Sequence, residues 1–287
     1  MVILALMVGY ALPEHTIRST DSLKPVTMSE PSLTDTKFWD DHWGGRHLPI
    51  EYSRKDRDRL HRAILKVFDR YAPPSVPMES SAIEIGGAPG GYLAALARSG
   101  YRANALDIST KGCEMLQENF DLLGLDVDVH QMDLRTVKDA NLPQYDLVFS
   151  LGVIEHFDDY DEIIALHMKV AKPGGLVIIG APNFNGLNRP LLRLTRPDVF
   201  DWHNLDAMRV HRWLEQTPIH ESKLVWRGYI GGFNPQMFRN ANRKFVPRVL
   251  SFVADMSNRV MNRLPGTGII NSRYWSGYGM AVYRKES

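Results

Sequence analysis

Apolar positions at Leu60, Ala63, Ile64, Val67, Phe68 and Tyr71 recur at helical spacing behind a Ser53–Asp56 pair that resembles a capping box, and they predict an amphipathic lead-in helix. The interleaved charges from Arg54 to Arg59 read as the solvated face of that helix. After the proline-rich break Ala72–Pro77, short apolar runs alternate with helical patterns. The reading is strand Ala82–Ile85, helix Tyr92–Arg98 closed by Gly100, strand Arg102–Leu106, helix Gly112–Leu123 and strand Val127–Gln131. Strands at Asp146–Ser150 and Leu176–Ile179 follow, with a helix over Tyr160–Ala171 between them. Repetition of strand and helix at this spacing predicts βαβ units, a mostly parallel sheet and right-handed crossovers. The fold class is therefore α/β, a doubly wound Rossmann-like sheet with helices on both faces. Beyond Pro182 the pattern loosens into a helix near Asn204–Glu215, a strand near Leu224–Tyr229, a further helix and a last strand near Gly279–Arg284, which brings the sheet to seven strands.

The chain ends divide the molecule further. Residues 1–12 are apolar, but they lack a basic flank and a small-residue cleavage site and are too short to span a bilayer. The polar stretch Pro13–Thr36 reads as disordered, Met28 is an alternative start, and the fold is expected to begin near Phe38. This gives a disordered extension over 1–36, a helical cap or lid over 37–78, and a main domain over 79–287 with a helical insertion at about 235–270. The aromatic run Phe38-Trp39-Asp40-Asp41-His42-Trp43-Gly44-Gly45 is expected either as a lid or as simple packing on the domain edge.

Composition changes this picture little. With 287 residues, 44% hydrophobic and 23% charged, the chain can bury a full core. A formal net charge of +1 gives no field that would favour nucleic acid, and no nucleic-acid partner is expected. Basic charge is local: between Arg239 and Leu264 lie six basic residues and one acid, beside an apolar stripe that includes Phe252, Met256 and Val260. That pattern leaves open a peripheral contact with a membrane or a lipid-linked substrate. The single cysteine, Cys113, excludes an internal disulfide and fits a reducing cytoplasm. His203, His211 and His220 lack metal-ligand spacing, so no metal is expected.

The chemistry begins at the glycine loop Glu84-Ile85-Gly86-Gly87-Ala88-Pro89-Gly90-Gly91, which joins the first strand to a helix. Such a turn lets backbone approach a ligand and presents free amides at a helix N-terminus. By itself it also fits a dinucleotide fingerprint, as in an NAD-dependent oxidoreductase. Asp107 ends the second strand, 21 residues after Gly86, where its carboxylate can accept hydrogen bonds from ribose hydroxyls.

Around that loop the sequence resembles the class I S-adenosylmethionine (SAM)-dependent methyltransferases, in the ubiquinone-type and small-molecule branch. The elements that carry the resemblance are AIEIGGAPGGYLAALA, ALDIS, Gln131-Met132-Asp133-Leu134, YDLVFSLGVIEHF and AKPGGLVII, in that order over about residues 80–180. One departure is Ala88, where many members have glycine. The resemblance implies SAM as cofactor, with Glu84 near the methionine amino group, Gly86, Gly87 and Gly90 beneath methionine and ribose, and Asp133 facing the adenine amino group. It further implies cofactor contacts from Ile108, Met132, Leu134 and the backbone at Ser150. His156, just after the fourth strand, is the expected catalytic base for a hydroxyl acceptor. The alternatives are that it caps the next helix or orients the cofactor loop. The reaction implied is methyl transfer to a small molecule, with a hydroxyl of a sugar, glycolipid or other metabolite expected from the tail after Pro182. A catalytically silent SAM-binding scaffold has the same fold and stands as the alternative.

Overall fold

The computed structural model describes residues 32–43, 46–140, 142–214, 222–238 and 271–286, together with Phe252, Met256 and Val260. Seven strands form one sheet in the order β3-β2-β1-β4-β5-β7-β6. They are β1 Ser81–Ile85, β2 Arg102–Asp107, β3 Val127–Gln131, β4 Tyr145–Leu151, β5 Ala171–Pro182, β6 Ser222–Phe233 and β7 Ser276–Lys285. β1 to β5 pair in parallel, and β7 inserts antiparallel between β5 and β6. The expected mostly parallel Rossmann-like sheet is thus present.

The sheet is buried on both sides because its residues alternate between two apolar layers. Ala82, Ala105, Leu147, Phe149 and Ile178 face one layer, where helices α2 (Arg59–Tyr71), α3 (Gly91–Arg98) and α4 (Thr110–Leu123) cover them. Ile83, Ile85, Val148, Val177 and Ile179 face the other, against α5 (Tyr160–Val170) and Trp213. A third, smaller core of Phe184, Leu192, Val199, Met208, Met237 and Phe238 lies in the segments after β5.

Several expectations change. The lead-in helix begins at Arg59 and is capped by Asp58, whose carboxylate accepts from Leu60 N, so the Ser53–Asp56 pair is not its cap. Asp56 instead accepts from Asp58 N and contacts His61 in the preceding turn. Arg59 is not on a solvated face: it is buried and donates to Gly231 O. Over the described residues 204–214 the helix expected near Asn204–Glu215 is not formed, and a 3-10 turn at Val210–Arg212 stands there instead, preceded by α6 at Asn188–Thr195 and a 3-10 turn at Pro197–Phe200. Asn204 explains the difference. Its main-chain N donates to Glu155 O, its side-chain amide donates to Phe157 O, and its Oδ1 accepts from Asp206 N, which pins the segment across the domain instead of coiling it.

Residues before Phe38 also take part in the fold. Ser32 bridges to Phe157, and Leu33 N donates to His156 O. Residues 1–31 and most of the expected insertion lie outside the described residues; within the latter, Phe252, Met256 and Val260 are helical and exposed. No helix among the described residues is long and apolar enough to cross a membrane.

Candidate active site

Strands β1, β2 and β4 end on the same side of the sheet, and the turns that follow them build one wall of a cavity. Gly86 adopts φ +64, and a Cβ there would lie 2.5 Å from Val153 Cγ2, so the turn has room only for glycine. At Gly87 a Cβ would lie 2.4 Å from Glu84 Cγ. Gly90, at φ +82, is the residue from which α3 starts. The cavity itself, of ≈ 690 Å³ counted to open solvent, is lined by Gly86, Asp107, Ile108, Met132, Asp133 and Leu134 among others. Six of the sequence-predicted cofactor residues thus converge on one space.

Asp107 is buried and receives Ser109 N at 2.9 Å and Ala88 N at 3.4 Å. Burial outweighs these amides and raises its pKa to about 6. Glu84 is buried beside Gly87, burial holds its carboxyl well above the ordinary range, and its Oε2 has no partner. An orphaned acidic oxygen of this kind suits an ammonium group, and Asp107 suits a pair of ribose hydroxyls; the donor set fits SAM. Asp133 is less open than expected, because Arg135 occupies its carboxylate from Nε and Nη2. Ser150, expected to give a cofactor contact through its backbone, is fully buried within β4 and does not line the cavity.

The expected lid is α1, Thr36–His42, which carries Trp39 over the cavity, with Trp43 just after it. It is tethered by Asp40 Oδ1, which accepts from Ser109 Oγ at 2.6 Å and from Lys111 N at 3.2 Å. Sequence reasoning named this run as a lid but did not identify the tether, which depends on two residues far apart in the chain.

A second cavity lies beyond the first, and Trp39, Gly152 and His156 line both. Its other walls include Tyr92, Glu155, Arg196, Trp202, His203 and Tyr278. His156 is buried between these spaces; it does not cap α5, which begins after Asp159. Its Nδ1 lies 2.9 Å from Trp202 O, Trp202 stacks on its ring, and Trp39 meets it edge-on. Burial lowers its pKa to about 4, so the ring is neutral near pH 7. Glu155 is pushed by burial up to about 8.

Arg196, Trp202 and His203, all from the segments after β5, reach this cavity. Asn183 braces the β7 turn through Ser276 O and Arg273 O, and Asn185 donates to Leu205 O. Nothing in the spacing of His203 signalled its place, because the pinned segment around Asn204 carries it there. Cys113 is a buried free thiol whose pKa burial raises to about 12, which suits an inert packing residue.

Comparison with known proteins gives the same reading. Residues 83–179 match the family model described as a methyltransferase domain. The ubiquinone biosynthesis O-methyltransferase of Caulobacter vibrioides is 26% identical over 196 residues, covering 63% of this chain and 75% of that protein. Among solved structures, coclaurine N-methyltransferase bound to N-methylheliamine and SAH superposes with TM-score 0.53 at 13% identity, over 82% of this chain and 77% of that one. The [4+2]-cyclase SpnF superposes with TM-score 0.53 at 14% identity, over 88% and 92%. These structural likenesses share the fold.

Proposed function

The chain belongs to the class I SAM-dependent methyltransferases, and from that premise we propose that it methylates a hydroxyl oxygen of a small molecule, a sugar, glycolipid or other metabolite, held in the cavity beside His156. The observation that carries the proposal is the junction: the same three residues, Trp39, Gly152 and His156, face both the cofactor-side and the acceptor-side cavity. SAM supplies a methyl already activated on a sulfonium, so the protein's work is alignment and removal of a proton.

The chain's own residues are suited to that work. Glu84, Asp107 and the loop Gly86–Gly90 hold the cofactor end. Trp39 shields the junction from water. At the acceptor end, the carbonyl of Trp202 can only accept, so it fixes hydrogen on His156 Nδ1 and leaves Nε2 with a lone pair. That nitrogen faces the acceptor oxygen and assists departure of its proton. The aromatic walls Tyr92, Trp202 and Tyr278 offer flat apolar faces beside polar groups, which suits a ring bearing hydroxyls. The relative from Caulobacter, named for O-methylation, supports oxygen as the methylated atom. A lone reduced cysteine fits a cytoplasmic enzyme.

The test is a screen of hydroxylated acceptors with labelled SAM, run on wild type and His156→Ala. Transfer to an oxygen that falls at least about a hundredfold in the variant, with SAH affinity kept, supports the proposal. Transfer to nitrogen or carbon, or turnover indifferent to His156, would contradict it.

A further inference from the structure

The acceptor-side cavity contains a cluster of which the proposed proton removal uses His156 alone. Glu155, His156 and His203 are all buried, and one potential ligating atom from each lies within 4.8 Å of the other two. Glu155 Oε2 has no hydrogen-bond partner, although its residue is only 1% exposed. A buried carboxylate oxygen with nothing to accept from is costly unless a cation or donor completes it.

The two imidazoles are oriented as metal-binding rings are. His156 Nδ1 lies 2.9 Å from Trp202 O and His203 Nδ1 lies 2.6 Å from Val199 O. Both partners are carbonyls, so each Nδ1 carries the hydrogen and each Nε2 keeps its lone pair. Ring contacts hold these orientations: Trp202 stacks on His156, and Phe184 meets His203 edge-on. The two chain segments are also tied together, since Asn204 N donates to Glu155 O at 2.7 Å. The cluster is therefore built by paired backbone and side-chain contacts.

We infer that Glu155, His156 and His203 form a binding site for a divalent transition-metal ion, held by one carboxylate and two imidazoles, with its open positions toward the acceptor cavity. Two nitrogens and one oxygen suit zinc or a first-row neighbour better than magnesium, which favours an all-oxygen shell. Three protein ligands leave coordination free for a substrate oxygen. Ligands around such an ion sit roughly 3.4 Å apart, so binding draws the cluster in by about an ångström.

This inference deepens the proposed hydroxyl methylation and rests on it for the ion's role, though not for the ion's presence. Coordinated to the ion, an acceptor hydroxyl becomes more acidic and loses its proton to solvent water. Its oxygen pair then forms the O–CH3 bond as the S–CH3 bond breaks, leaving S-adenosylhomocysteine. In the loaded protein His156 acts on that oxygen through the ion, as a ligand.

The experiment uses untagged full-length protein, stripped with chelator and titrated calorimetrically with zinc and, separately, with magnesium. The same preparations are titrated with SAH. We expect one zinc ion per chain, an affinity at least about tenfold weaker in both Glu155→Gln and His203→Ala, and little response to magnesium. SAH binding retained in the variants shows that they are folded. Cobalt substitution in wild type gives a second readout, a visible spectrum with nitrogen ligation that His203→Ala abolishes. No stoichiometric zinc, or zinc whose affinity and cobalt spectrum ignore both substitutions, would overturn the site. Stoichiometric zinc without methylation of any hydroxyl would instead leave the site standing and remove the proposed acceptor chemistry.

Discussion

Asp107 shows how one buried carboxyl can couple cofactor binding to pH. Its pKa rises from 3.8 to about 6 on burial, so between those values the native protein without cofactor holds a proton that the unfolded chain has released. Its contribution to native stability therefore falls as pH rises through this window. Ribose hydroxyls donate best to the ionised form, so cofactor binding near pH 6 should expel that proton. The expected result is SAH affinity that weakens by up to about tenfold per pH unit below about pH 6, measured calorimetrically, with Asp107→Asn binding weakly and without this pH dependence. Gly86 gives a second prediction at this scale. Alanine there must adopt φ +64 and lies 2.5 Å from Val153 Cγ2, whereas alanine at Gly124, at φ +63, meets nothing within 4 Å. Gly124→Ala should lose about 1 to 2 kcal/mol in denaturant titration, and Gly86→Ala more than that, because its Cβ must also displace Val153. Only Gly86→Ala should also lose SAH affinity.

At the scale of elements, α1 is a short helix with no buried residue, tethered through Asp40 to Ser109 and Lys111 at the start of α4. Its helical stability must come from docking, because seven residues are too few to be stable alone. Asp40→Ala should therefore speed SAH release by about tenfold in stopped flow, with the melting temperature of the unliganded protein nearly unchanged. An equal loss of thermal stability would show α1 to be part of the core instead of a lid. Elements that bury a regular face were legible in the sequence: Leu60, Ile64 and Phe68 marked α2, and the runs in β1 and β4 marked fully buried strands. The segment from Asn183 to Leu214 was not. Its course is set by side-chain amides that bond distant carbonyls, such as Asn188 to Ser276 O and Asn204 to Phe157 O, and no local period records such partners.

For the whole molecule, the division between legible and illegible falls along the sheet's functional edge. The cofactor side is written in consecutive turns after β1, β2 and β3, so motif order found Gly86, Asp107 and Met132–Leu134 together. The acceptor side is assembled from α1, the turn after β4 and the pinned loop bearing His203, which meet only in three dimensions. That is why Glu155 and His156 were visible as a dipeptide while their closeness to His203 was not. The cavity under Trp39 is the SAM site we propose, built on Asp107. The most direct test is calorimetric titration of wild type and Asp107→Ala with SAH and with NAD. Saturable one-to-one SAH binding, weakened at least about tenfold in the variant, with no NAD binding, is the predicted result; absence of SAH binding, or tighter binding of NAD, would contradict it.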